Sequence, residues 1–245
     1  MLQTFISKIL AMAAFTLLSA SLCAQPLAPF ELKYEARYEG FKASAERFLE
    51  ILEDGRYRIH SNAHMSFLGK TLTRVREESI FHYEQNLLRP QRYEFIQSGF
   101  GKRSRRAEFD WQDKVALTEV DGEEKQLELF PAVLDELSAF LEITRQLALG
   151  KTDIYFQAID DDEIKDYHYR LTDREALKSP LGLLNTLKVE RIWEAGNPRK
   201  TELWFAEDWN LVLVKLHQVS GSGKDLDLNL KTAISDGKTV MPLTP

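Results

Sequence analysis

The chain has 245 residues, with 32 Lys and Arg against 38 Asp and Glu, a formal net charge of −6 and a single cysteine. Hydrophobic residues make up 44%, enough for a sizeable core, and the mildly acidic balance argues against general adhesion to nucleic acid or to anionic membranes. One cysteine excludes an internal disulfide framework.

The first 24 residues read as a cleavable secretory leader. A short polar start with Lys8 runs into an apolar stretch from Ile9 to Leu22, and Ser19-Ala20-Ser21-Leu22-Cys23-Ala24 supplies a small-residue exit. The apolar run is too short for a membrane span and lacks a stop-transfer charge cluster. The expected mature chain starts near Gln25, forms one domain to residue 245, and works in the periplasm. Cys23 raises the question of lipidation, but Leu22 stands where Gly, Ala or Ser is required.

Strict alternation follows. Phe30, Leu32, Tyr34, Ala36 and Tyr38 face one way and Glu31, Lys33, Glu35, Arg37 and Glu39 the other, the pattern of a half-buried strand. Further strands are expected over 42–52, 57–67, 71–83, 91–98, 104–111, 114–120 and 124–129. Asp54-Gly55 and Asp121-Gly122 mark tight hairpins, because both residues tolerate positive φ. From Val133 the period changes: Val133, Leu137, Phe140, Leu141, Thr144, Leu147 and Ala148 recur at helical spacing, with acids at the start, Arg145 near the end and Gly150 beyond. An amphipathic helix over Asp135–Leu149 follows. Strands resume over 153–159, 164–171, 184–193, 200–205, 211–219 and 225–232. Neighbours this close in sequence pair antiparallel. A meander this long must curl to protect its edges, so the fold class is mainly β: a large antiparallel, curved or incompletely closed barrel, with the helix packed in its mouth or concavity.

No catalytic signature stands out. No Gly-x-Ser-x-Gly elbow, His-Glu-x-x-His or phosphate loop occurs. His60 and His64 share a strand face but sit about 13 Å apart along it, and His168 and His217 read as isolated, so neither a metal nor a cofactor is expected. Asp160-Asp161-Asp162-Glu163 lacks the alternating ligands and central glycine of a calcium loop and reads as a solvated hairpin tip. Trp204 and Phe205 are adjacent on one strand, so at most one is expected inside. The sharpest anomaly is Lys102, Arg103, Arg105 and Arg106 behind Gly99-Phe100-Gly101. Four cations beside a glycine-flanked Phe are candidates for gripping an anionic envelope component; the competing reading is a solvated strand start.

Several short motifs carry a resemblance. Phe30-x-Leu32-x-Tyr34-x-Ala36-x-Tyr38-x-Gly40, Leu88-Arg89-Pro90, Phe109-Asp110-Trp111, Asp135-x-Leu137-Ser138, Pro180-Leu181-Gly182 and Leu203-Trp204-Phe205-Ala206-Glu207-Asp208 keep the order of a family of proteobacterial periplasmic proteins of unknown function. The chain resembles that family over most of residues 30–232, departing from it by lacking a proline near Leu213. The resemblance implies a periplasmic β domain and carries over no catalytic residue. The expected architecture also resembles periplasmic lipoprotein carriers, which are unclosed barrels with a helical lid; folds do not fix functions.

The sequence thus points to a non-enzymatic envelope protein that binds a lipid-like ligand under the helix. Leu137 and Leu141 are candidates on the helix, and Phe100, Lys102, Arg103, Arg105 and Arg106 candidates at the tip. Two alternatives stand beside it: an interaction module with a solid core that docks an envelope protein, and a hydrolase of an envelope polymer. No nucleic-acid partner and no membrane-spanning segment in the mature chain are expected.

Overall fold

The computed structural model describes residues 27–68 and 70–243; the leader, its cleavage point and Cys23 lie outside them. Eight strands form a first antiparallel meander: β1 (Phe30–Tyr38), β2 (Phe41–Ile51), β3 (Tyr57–Phe67), β4 (Lys70–Glu84), β5 (Leu87–Gly99), β6 (Arg103–Asp110), β7 (Val115–Val120) and β8 (Glu123–Glu128). A two-residue β9 (Val133–Leu134) leads into helix α1 (Glu136–Ala148). The second meander comprises β10 (Asp153–Asp160), β11 (Glu163–Ser179), β12 (Gly182–Arg191), β13 (Lys200–Ala206), β14 (Val212–Val219) and β15 (Asp225–Ser235), with a short β16 (Lys238–Thr239) beside β15. Antiparallel pairing of β1 with β15, from Phe30↔Ser235 to Tyr38↔Leu226, joins the halves into one 16-stranded sheet. The sheet runs from β8 at one end to β9 at the other and does not close.

The alternation in the sequence sets the two faces. On β1, Leu32, Tyr34 and Ala36 are buried while Glu31, Lys33, Glu35 and Arg37 are exposed. Asp121 and Gly122 both take positive φ, 52° and 95°, so the predicted hairpin forms with the twist that suits its strands. Gly182, in the Pro180-Leu181-Gly182 motif, has φ 117° and a β-carbon there would lie 2.6 Å from Pro242 Cβ; only glycine fits both constraints.

The helix fills the concavity. Its N-cap Asp135 accepts from the Leu137 and Ser138 amides at 2.9 and 2.8 Å, and Ser138 Oγ accepts from the Asp135 amide at 3.0 Å. That capping box satisfies amides the helix leaves free. Ser79 Oγ on β4 donates to Asp135 Oδ2 at 2.6 Å, fixing the box to the sheet. Leu137 and Leu141 pack with Tyr57, Ile59, Phe81 and Tyr93 of the first meander. Ile143 and Leu147 pack with Ile154, Val189, Leu203 and Phe205 of the second. The helix therefore bridges the two halves.

Three sequence expectations need correction. Val133 sits in β9, paired in parallel with β10, not on the helix. β11 runs eight residues past Leu171; a bulge between Leu171 and Asp173 breaks the alternation, and the exposed Thr172–Ala176 gives no apolar signal. The expectation that at most one of Trp204 and Phe205 lies inside holds, although both are buried. Phe205 faces the interior, while Trp204 donates its Nε1–H to Glu175 Oε1 at 2.6 Å and lies beneath the Lys188 and Lys215 ammonium groups. The overhanging half of β11 and two lysine stems cover the outer face of β13. His168 and His217 are not isolated: His168 stacks on Tyr155 and reaches Asp153, and His217 reaches Asp225 and Asp227.

Candidate functional site

Two pockets flank Phe140, which projects from the middle of α1. The first, about 60 Å³, lies against β1–β3 and is walled by Leu32, Tyr34, Leu49, Leu141 and Phe205. Tyr34 donates to the Leu213 carbonyl at 3.0 Å, and burial raises its hydroxyl pKa well above the usual value. The Arg47 guanidinium stands 4.7 Å from the Phe140 ring centre. An apolar cavity of about 150 Å³ is needed for a benzene-sized guest, so this space is too small to hold one.

The second pocket is larger, about 290 Å³, between α1 and strands β10–β14. Ala139, Phe140, Ile143, Phe156 and Leu216 give it an apolar floor, and Glu136, Asp160, Arg191, Thr201 and Gln218 give it a polar border. Alternation on β10 and β11 aims Phe156, Tyr167 and Tyr169 to one side. Phe156 stacks on both tyrosines, with ring centres 5.2 and 5.9 Å apart. Burial pushes both tyrosine hydroxyls up, so they remain neutral hydrogen-bonding groups. Arg191 lies 4.1 Å from the Tyr167 ring centre and 3.7 Å from that of Trp193. Thr201 Oγ1 and Trp193 Nε1 are buried without a hydrogen-bond partner among the described residues. The volume reaches the lower end of the range for small-molecule sites, and an apolar floor with a few polar groups is their usual chemistry.

At the border the two ends of the sheet meet through charges. Arg105 Nη1 donates to Glu136 at the helix start and to Asp161 Oδ1, the latter at 3.3 Å. Arg103 bonds Asp161 Oδ2 at 2.6 Å, Lys125 bonds Asp162 at 3.1 Å and Lys165 bonds Asp160 at 3.0 Å. The Arg105 guanidinium also lies 4.1 Å from the Phe95 ring centre. Glu136, Asp160 and Asp161 bring carboxylate oxygens within 4.8 Å of one another, but each already has a side-chain cation, Arg105 for Glu136 and Asp161 and Lys165 for Asp160. Burial raises the Glu136 carboxyl to about 7; Arg105 opposes the shift, and Glu77 and Asp160 add to it.

The structure divides the residues singled out in the sequence. Phe100 is 82% exposed at the β5–β6 turn, with exposed Lys102 beside it. Arg103 and Arg105 are committed to Asp161 and Glu136, and Arg106 to Glu94 and Glu119. Arg105 has only 11% of its side chain exposed, so the four cations are not one exposed cluster. Within the Asp160–Glu163 tip, Asp161 is the counter-charge of Arg103 and Arg105, and Asp162 that of Lys125, so the tip is more than a solvated turn. Leu137 and Leu141 are buried as the helical stripe requires; Leu141 borders the small pocket and Leu137 neither of the two. Arg191, Thr201 and Tyr167 carried no sequence signal beyond alternation, because their convergence depends on how the second meander curls.

Residues 33–230 match the profile of a family described as Protein of unknown function (DUF3108). No curated protein matches the chain. Among solved structures, the chain is similar to a beta-barrel-like protein of domain of unknown function DUF1849 from Brucella abortus. The TM-score is 0.58 at 8% identity, over 86% of this chain and 99% of that one. That likeness is one of fold.

Proposed function

The chain belongs to the DUF3108 family, and we propose that it is a non-enzymatic periplasmic protein that holds one amphipathic, lipid-like envelope molecule between α1 and the second meander. The observation that carries this reading is the pocket of about 290 Å³ with an apolar floor and Arg191 at its border. Apolar contact with Phe140, Ile143 and Phe156 supplies affinity, and Arg191 orients an anionic head group as a charge-assisted donor. The secretory reading of residues 1–24 supports the compartment.

Native mass spectrometry of protein purified from its own cells tests the reading. A bound lipid-like mass is expected on the parent protein. Ala139→Trp, which fills the floor, should abolish it, and Arg191→Glu should reduce it at least tenfold, with unfolding midpoints recorded alongside. A parent protein that carries no such mass and takes up no fluorescent fatty acid would instead favour the solid-core interaction module.

A further inference from the structure

The hairpins at one end of the first meander differ from those at the other. At the far end the same strands turn on Asp54-Gly55, Gln85-Asn86 and Gln112-Asp113. At the near end β1–β2 brings Phe41, β3–β4 brings Phe67 and Leu68, and β5–β6 brings Phe100. Leu68 and Phe100 are 87% and 82% exposed, the highest values among the large exposed hydrophobics of the described residues. Phe41 and Phe67 meet edge to face at 5.6 Å, forming one apolar knob. With strands about 4.8 Å apart, the row from β2 to β6 is roughly 20 Å wide.

Each apex is built to hold its side chain outward. Leu68 has φ 48°, a left-handed conformation that disfavours a branched side chain and that glycine adopts freely. The turn alone gives no reason for a leucine there, and its exposure gives no packing reason. At the Phe100 apex the amide donates to the Leu72 carbonyl at 2.9 Å, and the carbonyl accepts from Thr73 Oγ1 and Gln97 Nε2, both at 3.1 Å. The Phe100 backbone is thus fully bonded while its ring stands free.

Cations lie between the apolar points. Lys42, Lys70 and Lys102 are exposed and take part in no ion pair among the described residues. The nearby acid Glu39 has an oxygen occupied by the Asp225 amide at 2.7 Å. Beyond this row, Asp161 and Asp162 are neutralised by Arg103, Arg105 and Lys125, while the exposed Asp121, Glu123 and Glu124 belong to the β7–β8 hairpin outside it. Among the described residues of the row from β2 to β6, an acidic protein therefore presents three free lysines between apolar points.

We infer that this rim, formed by Phe41, Phe67, Leu68 and Phe100 with Lys42, Lys70 and Lys102, docks the protein on an anionic phospholipid bilayer. Separate convex points suit a fluid interface, which admits single side chains and places anionic head groups against the lysines between them. A stable protein interface needs about 800 Å² of complementary surface per partner, which scattered points do not supply. The inference is independent of the pocket: the rim lies on other elements and its variants leave the pocket lining intact.

The test is co-sedimentation of the full protein, as the cell makes it, with vesicles of phosphatidylcholine alone or mixed with phosphatidylglycerol. All variants share the parent's N-terminus, so differences report the rim. The parent should bind the anionic vesicles at least tenfold more tightly. Leu68→Gly with Phe100→Ser should lower that binding at least tenfold at low and high salt alike. Leu68→Gly alone should leave the unfolding midpoint equal or higher, because it relieves the positive φ, yet still weaken binding. Lys42→Ser with Lys70→Ser and Lys102→Ser should weaken binding at low salt only, since exposed charges are screened at high salt. Equal binding of the two vesicle types, parent-like binding by the variants, or a rim that engages a protein but no vesicle would overturn the inference.

Discussion

Arg105 on β6 and Asp161 in the β10–β11 turn are 56 residues apart in sequence and meet at 3.3 Å, which ties the two halves of an open sheet together across its gap. Glu136 joins the same guanidinium, so the helix start is fixed by the same contact. Removing one partner of a largely buried charge set strands the rest, which costs roughly 3–5 kcal/mol. Arg105→Leu should therefore lower stability by about that amount in urea unfolding. Arg106→Ser, at a solvated site, should leave the unfolding midpoint where it was. Equal, small effects of both would show that the contact across the gap contributes nothing.

The helix stripe makes a second prediction. Leu137 is fully buried against the first meander, and truncating such a leucine costs about 2–5 kcal/mol. Leu137→Ala should fall in that range. Leu141→Ala should cost a similar amount and enlarge the cavity of about 60 Å³ it borders, which xenon or benzene binding would report. A loss below about 1 kcal/mol at both positions would mean that α1 is a loosely held lid.

Stability should rise on mild acidification. Burial lifts Asp135 from 3.8 to about 6 despite the Ser79 and Ser138 hydrogen bonds, and Glu136 from 4.5 to about 7 despite Arg105. Between the unfolded and folded values the native state holds protons that the unfolded chain has released. Their stabilisation is fully present below about pH 4 and is lost as pH rises to 7. At about 1.4 kcal/mol per unit, Glu136 contributes on the order of 3 kcal/mol. Asp54, Asp153 and Asp162 act oppositely, since their arginine, histidine and lysine partners hold their pKa values down; that stability is lost only as the solution becomes more acidic still. A melting temperature that climbs from pH 7.5 to about 4 and then falls is expected, and Glu136→Gln should flatten the climb.

Most of the fold was legible because one face of nearly every strand is wet. Glu31, Lys33 and Glu35 beside Leu32, Tyr34 and Ala36 reveal β1 without any tertiary knowledge, and Asp135 and Glu136 ahead of the apolar stripe reveal the helix start. Legibility failed where a strand is covered on both faces or on neither. β13 is buried almost throughout; alternation rightly turns Trp204 away from the interior but does not show that β11 and two lysine stems cover it. The end of β11 is exposed on both faces and carries no period. The pocket was illegible for another reason. Arg191, Thr201 and Phe140 lie on three elements, and only sheet curvature brings them together. Arg103 and Arg105 misled in the same way, because Asp161 lies across a gap that no local pattern encodes.

Thr201 offers the most discriminating substitution. Its hydroxyl borders the larger pocket, is buried and has no hydrogen-bond partner among the described residues. An unsatisfied buried polar group costs about 1–3 kcal/mol, while an apolar group of the same shape escapes that cost. Thr201→Val keeps the branched shape. In delipidated protein it should raise stability by roughly 1 kcal/mol, read from urea unfolding. If the hydroxyl bonds the head group of the proposed ligand, the same change should weaken ligand retention several-fold, so stability and binding move in opposite directions. Purely structural burial predicts a gain in stability with binding unchanged. A loss of stability in the empty protein would mean that the hydroxyl is already bonded and is not free to receive a head group.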